Sequence, residues 1–226
     1  YVIGNSNGYN LNSGSFVSWN WKANGAGSAN TDGNITSTVS ANTTAGFSIV
    51  TFTTSSSGSA DTIGHGLGVA PSLVICKATS ASDNWFVYHK SLGATKRSML
   101  NLNNAPDTNN IFNDTTPTSS VFSLALSNFG SNRSGVAYCF AEKTGYSKFG
   151  SYVGNGNSNG TFIYTGFKPV FVIFKRSSGT GGWIIHDNKR SESSGGNALR
   201  KYLVTQTNGS EGTDDYFTID TLSNGF

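Results

Sequence analysis

Most of the chain between residues 47 and 90 occurs twice, and this repetition constrains the fold more than any other feature. FSIVTF (47–52), GHGLGVAPSLVICK (64–77) and NWFVYHK (84–90) return about 98 residues later as FGSYVG, YTGFKPVFVIFKR and GWIIHD. Pro71 aligns with Pro169, Lys77 with Lys175 and Trp85 with Trp183, all without a gap. A period of this length means two structural units, because solenoid repeats run at about 20–50 residues.

A second pattern sets the phase of the repeat. In SFVSWNWK (15–22), Val17, Trp19 and Trp21 fall on one face, with Ser18, Asn20 and Lys22 on the other, which predicts a half-buried strand. GVAYCFAE (135–142) places Val136, Tyr138 and Phe140 on the matching face. Each stretch follows a turn segment containing Ser-Asn and Gly, and LSNGF at 222–226 is that turn segment again. The expected organisation is therefore a last strand of a preceding or swapped unit at 1–25, a linker at 26–45, a complete β-sandwich at 46–145 and a second β-sandwich without its last strand at 146–226. Two arrangements satisfy this phase: a window of a longer tandem protein, or an N-terminal strand that completes the C-terminal unit, within one molecule or between neighbours. A sandwich short of one strand exposes an edge that favours strand addition.

The strand content follows from composition. Gly, Ser, Thr and Asn make up roughly half the chain, and aromatic residues 12%, so β-forming residues alternate with turn formers. Expected strands in the first unit are 46–53, 72–77, 84–89, 98–102, 121–126 and 135–142. Those of the second are 147–153, 161–165, 169–175, 182–186, 200–205 and 215–220. LVIC and VFVIF are continuously apolar, as central strands covered on both faces are. No convincing helix appears; 91–97 and 189–200 each have room for a turn. The fold class is all-β, as tandem antiparallel β-sandwich domains of jelly-roll or lectin-like type.

Charge excludes some partners. The net charge of +3 is spread along the chain with no basic run, so nucleic acid is not expected. No apolar run approaches the roughly 18 residues that span a bilayer, so neither is membrane insertion.

GHGLGVAPSLVICK, WFVYHKSLGATK, PTSSVFSL, VAYCFAEKTGYSKFGSYVGNG and YTGFKPVFVIFKR, with TDGNITSTVSANTTAGFSIVTF and LSNGF, resemble a family of tandem-repeat virion surface proteins. Marine tailed bacteriophages encode these proteins, and the function of the repeat domain is uncharacterised. The resemblance covers nearly the whole chain. It implies a tail fibre, appendage or capsid decoration on the surface of the extracellular particle, with other virion proteins and copies of the chain as partners. It carries over no catalytic residue.

Candidate chemistry in the residues themselves is sparse. GNSNG at 4–8 and 156–160 matches the G-x-S-x-G pattern, but that chemistry needs a strand-to-helix turn, and Ser158 precedes a strand-like segment. His65, His89 and His186 do not recur in register and read as hydrogen-bonding residues in turns or on the surface. Cys76 aligns with Phe174 and Cys139 with Asn20, so both read as small buried hydrophobes. The carboxylates are scattered, with Asp107, Asp114 and Asp214 the nearest to calcium ligands, though no loop has the dense oxygen pattern of a recognised site. The N-x-S/T sequons follow from composition. No cofactor, metal or catalytic residue is assigned.

Trp85 and Trp183 recur in register beside polar turns and are the candidate ligand-binding residues. Matched positions suit a core residue equally well. The expected function is a non-enzymatic virion structural protein contributing to assembly or host attachment. The alternative is a lectin-like module binding a host surface glycan through loops 54–64, 103–120 and 154–160; a polysaccharide-degrading enzyme ranks third.

Overall fold

The two longest alternating stretches, FSIVTFT and SGVAYCF, lie side by side at the centre of an antiparallel sheet. The structure is a computed structural model that describes residues 4, 6–190, 197–213 and 217–226. In chain order the first ten strands are Ser28–Asn30 (β1), Ser37–Asn42 (β2), Phe47–Thr53 (β3), Ala60–Gly64 (β4), Leu73–Ala78 (β5), Phe86–His89 (β6), Lys96–Met99 (β7), Asp107–Thr108 (β8), Val121–Ala125 (β9) and Ser134–Phe140 (β10). Eight of them form one sheet in the order β1-β2-β3-β10-β5-β6-β7-β8, while β4 and β9 pair separately.

Alternation sorts the side chains of this sheet onto two faces. Val50 and Phe52 on β3, Ala137 and Cys139 on β10, Val74 and Cys76 on β5, and Phe86 and Tyr88 on β6 point inward. Ile63 of β4, Phe122 and Leu124 of β9, Ile111 and Phe112 of a 3-10 turn (Asn110–Phe112) and Phe129 of the single-turn helix Leu126–Phe129 close over them. Trp85, Val87 and His89 point outward, opposite Phe86 and Tyr88.

The linker expected at 26–45 is instead part of this sheet. β1 and β2 extend it beyond β3, with Val39 in the core and Ile35 packed against it. Small hydroxyl side chains hid the strand from an apolar pattern. Ser37 and Ser40 are buried because their hydroxyls donate to the backbone, at 2.8 Å to Gly64 O and 2.8 Å to Gly25 O. β4 and β8 likewise occupy segments expected as loops, and the strand expected at 98–102 is shifted to Lys96–Met99.

The second unit contributes Phe171–Lys175 (β11), Trp183–Asp187 (β12), Ala198–Leu199 (β13), Lys201–Val204 (β14), Gly212–Thr213 (β15) and Ile219–Asp220 (β16). The sheet β11-β12-β14-β15 copies β5-β6-β7-β8 in register. Leu73 pairs with His89 and Cys76 with Phe86; their counterparts 98 residues on, Phe171 with Asp187 and Phe174 with Ile184, are also paired. Beyond a seven-residue insertion the agreement continues: Phe86–Met99 and Val87–Ser98 become Ile184–Val204 and Ile185–Leu203. The last pair of strands agrees too, with Lys96–Thr108 repeated as Lys201–Thr213.

The second unit departs from expectation on the far side of β11. Residues 15–22, expected as a strand, form no ladder, and neither do 147–153. The segment 161–165 forms no named strand but meets the C-terminus through a bridge from Tyr164 to Gly225 and reciprocal backbone hydrogen bonds between Ile163 and Phe226. VFVIF, expected as a central strand, therefore lies at a sheet edge, with Phe171–Lys175 half-buried and Val170 exposed. A strand needs a backbone partner as well as the right alternation, and in this arrangement neither 15–22 nor 147–153 has one. The strand expected at 215–220 is described only in part, since 214–216 lie outside the described residues.

Candidate functional site

The recurring tryptophans sit in the same backbone cradle. Trp85 N–H donates to the Asn101 side chain at 2.9 Å and its carbonyl accepts from Leu100 N–H at 2.9 Å. Trp183 N–H donates to Gln206 at 3.3 Å and its carbonyl accepts from Thr205 N–H at 3.2 Å. The aligned lysines match as well: Lys77 Nζ reaches Asp83 O at 2.8 Å and Lys175 Nζ reaches Gly181 O at 2.6 Å. Each lysine lays its stem along the sheet and closes the turn that leads to its tryptophan. Burial lowers the Lys175 pKa below the ordinary lysine range.

The two rings then diverge. Trp183 is only 6% exposed and joins Leu73, Val87, Ile75, Leu100 and Ile173 in a second apolar cluster between the units. Its indole N–H donates to Met99 O at 2.9 Å. Gly181 N–H donates to Asn103 O at 2.8 Å, and Thr205 Oγ1 donates to Leu100 O. The turn after β7 therefore receives the second unit through its backbone carbonyls. Trp85 is half-buried and stacks on Tyr138 at 6.3 Å with 21° between the rings. Trp183 is closed off by the partner unit, whereas Trp85 keeps part of its surface open.

A charged network missed by sequence reasoning anchors the N-terminal segment to the same unit. Asp187 and Arg190 form a buried ion pair at 2.6 Å, and Arg190 also reaches Glu211 at 3.0 Å and Ile185 O at 3.1 Å. Trp19 Nε1 donates to Asp187 Oδ2 at 3.2 Å, and the Arg190 guanidinium lies 5.6 Å from the Trp19 ring centroid. Burial by itself raises the Asp187 carboxyl. The Arg190 guanidinium and the backbone N–H groups of Lys189 and Arg190 outweigh it and hold the pKa below the ordinary aspartate value. Trp19 alternates as a strand residue does, but nothing in the sequence pairs it with Asp187.

The histidines hydrogen-bond as expected, but two of them are not at the surface. His65 is fully buried: its Nδ1 accepts from Leu67 N–H at 3.2 Å, which leaves Nε2–H to donate to Thr118 O at 3.2 Å. His186, 1% exposed, faces Lys201 O at 3.1 Å through Nδ1. Burial is the main cause that lowers the pKa of both, and of half-buried His89.

Cys76 and Cys139 are free and buried, and burial pushes the Cys139 thiol up to about 12. Both are inert packing residues. Asp107 pairs with Arg97 at 3.0 Å, and Asp214 lies outside the described residues. Among the described residues no three His, Cys, Asp or Glu side chains cluster as metal ligands would, and no helix is long and apolar enough to cross a membrane. Ser6 accepts from Gly8 N–H at 3.3 Å beside a four-residue helix (Asn7–Asn10), and Ser158 Oγ donates to its neighbour Asn157 at 3.5 Å.

These observations define an all-β protein with two register-matched sheets joined at a buried tryptophan. The chain belongs to the family described as Domain of unknown function (DUF7483), which it matches over residues 1–226. No curated protein and no solved structure matches it.

Proposed function

We propose that this chain is a non-enzymatic structural protein of a bacteriophage virion surface, a tail fibre, appendage or capsid decoration, that contributes to particle assembly or host attachment. One observation carries the reading beyond the resemblance. Among the described residues, all the exposed large apolar side chains except Val69 lie outside residues 23–145. Val153 is 85% exposed and Tyr164 66%, with Tyr146, Tyr152, Phe162 and Val170 also open. Apolar surface concentrated on the second unit and the N-terminal segment suits contact with neighbouring subunits or other virion proteins. Electron microscopy of purified virions labelled with an antibody against residues 46–145 tests this. Label at tail or fibre tips identifies host attachment, and label spread over the head identifies capsid decoration. Unlabelled particles, with the antigen confined to the soluble lysate, overturn the proposal.

A lectin-like role is the second reading, and it rests on the partly open Trp85 ring. Under it, host-derived oligosaccharides quench tryptophan fluorescence in the parent protein and not in a Trp85→Phe variant. Equal response of the two proteins, or none, removes this reading.

A further inference from the structure

On the open side of β11 the repeat makes a specific demand. β5, its counterpart, carries β10 along that side, with Phe140 opposite Leu73, Tyr138 opposite Ile75 and Val136 opposite Lys77. β3 lies beyond β10, so that Val50, Ala137 and Cys76 stand in one row across three strands. β11 has no neighbour there among the described residues.

The backbone of β11 is ready for one. Asn188 N–H donates to Val170 O, so by alternation the N–H and C=O groups of Val172 and Phe174 face β12. Those of Phe171, Ile173 and Lys175 face the open side. An apolar strand with a free edge is a template for strand addition.

The chain contains a second β10-type sequence. In residues 15–22, Val17, Trp19 and Trp21 stand where β10 has Val136, Tyr138 and Phe140. Its end already touches the start of β11: the Trp21 ring is 5.5 Å from Phe171 and 5.9 Å from Phe140. Lys22 O accepts from Asn42 Nδ2 at 3.0 Å, which tethers the segment at that corner. The counterpart of β3 flanks the same gap, with the Tyr152 ring 6.3 Å from Phe174. In the transposed register Tyr152, Ser18 and Phe174 replace the row Val50, Ala137 and Cys76, so a small residue again falls between two larger ones.

The geometry points to residues 15–22 of the same chain as the strand that pairs antiparallel with β11, with Trp21 opposite Phe171, Trp19 opposite Ile173 and Val17 opposite Lys175. The tether at Asn42 and the Trp21–Phe171 contact favour the chain's own segment over a second copy's, because they hold it at high effective concentration. The pairing turns residues 149–155 into the next strand, and it is independent of any virion role.

Hydrogen exchange on the 226-residue chain tests the pairing. Val17→Pro removes an N–H that faces β11 in this register and leaves both tryptophans in place. The amides of Ile173 and Lys175 are expected to exchange at least about 100-fold more slowly in the parent than in this variant. Equal rates overturn the proposal. Val17→Cys combined with Lys175→Cys reports on the source of the strand. Mild oxidation is expected to close a disulfide within one chain, and Val17→Cys with Ile173→Cys, out of register, to close far less. A disulfide between isotopically distinguishable copies overturns the own-chain assignment, and no disulfide overturns the register.

Discussion

The sheets β5-β6-β7-β8 and β11-β12-β14-β15 have the same registers, the same tryptophan cradle and the same turn-closing lysine, yet they are buried to different degrees. Among the described residues nearly every buried apolar residue belongs to the first unit; the exceptions are Pro169, Trp183, Ile185 and Leu199. Val74 on β5 is fully buried, whereas its counterpart Val172 on β11 is half-buried. The difference lies in what covers each sheet. β4, β9 and the residues around Phe112 and Phe129 close over the first, and β10 seals its β5 edge. The second is covered by scattered rings such as Tyr152 and Phe226 against Phe174, and by the outer face of the first unit. Register is thus a local property of strand sequences, while burial belongs to whichever elements arrive on each face.

Four experiments sharpen or break this comparison, from the largest expected effect to the smallest. Phe122→Ala empties the first core and is expected to cost about 3–5 kcal/mol in urea unfolding. Phe174→Ala on the half-buried sheet is expected to cost about 1–2 kcal/mol, and equal losses would contradict the difference in covering. Arg190→Ala leaves Asp187 buried without its cation and is expected to cost about 3 kcal/mol, read as earlier loss of protection in β12 than in β5. Trp183→Phe removes one of two donors to the Met99 carbonyl, which keeps Leu102 N–H at 3.3 Å, and is expected to cost about 1–1.5 kcal/mol. The same change at Trp85 is expected to fall within about 0.5 kcal/mol of neutral, so similar losses at the two sites would show that they are equivalent.

The smallest effect is that of pH. His65, His89 and His186 are held neutral in the fold, so the unfolded chain takes up their protons first as pH drops below about 6.5. Stability is full above that pH and declines as pH falls toward the lowered folded values. The urea midpoint is expected to be higher at pH 7.5 than at pH 5.5. His186→Gln should flatten the profile through the second unit and His65→Gln through the first. A midpoint that rises on acidification would contradict the burial of these rings.

Much of the first unit was readable because its strands carry strong alternation between fixed turn residues. FSIVTF, LVIC, FVYH and GVAYCF alternate as strands do, and β3, β5, β6 and β10 lie at those stretches, although β10 buries Ala137 and Cys139 rather than the expected face of Val136, Tyr138 and Phe140. STVSAN was not readable in the same way. Its buried positions are Ser37, Val39 and Ser40, and a serine hydroxyl becomes a core group only when a backbone carbonyl accepts its proton. The recurrence of Trp85 and Trp183 was visible as well, but their fates were not, because identical cradles say nothing about what packs on the ring.

By itself the sequence determined the all-β class, the duplication and, through alternation, where most of the strands of the first unit lie. Those depend on side-chain period and turn chemistry, which act within a few residues of chain. Tertiary structure alone decided that Trp183 is closed while Trp85 stays partly open, that Trp19 finds Asp187 and Arg190, and that a polar stretch becomes β1 and β2. Each of these depends on surfaces brought together from distant parts of the chain, where burial and hydrogen-bond satisfaction are set by the assembled neighbours rather than by the residue.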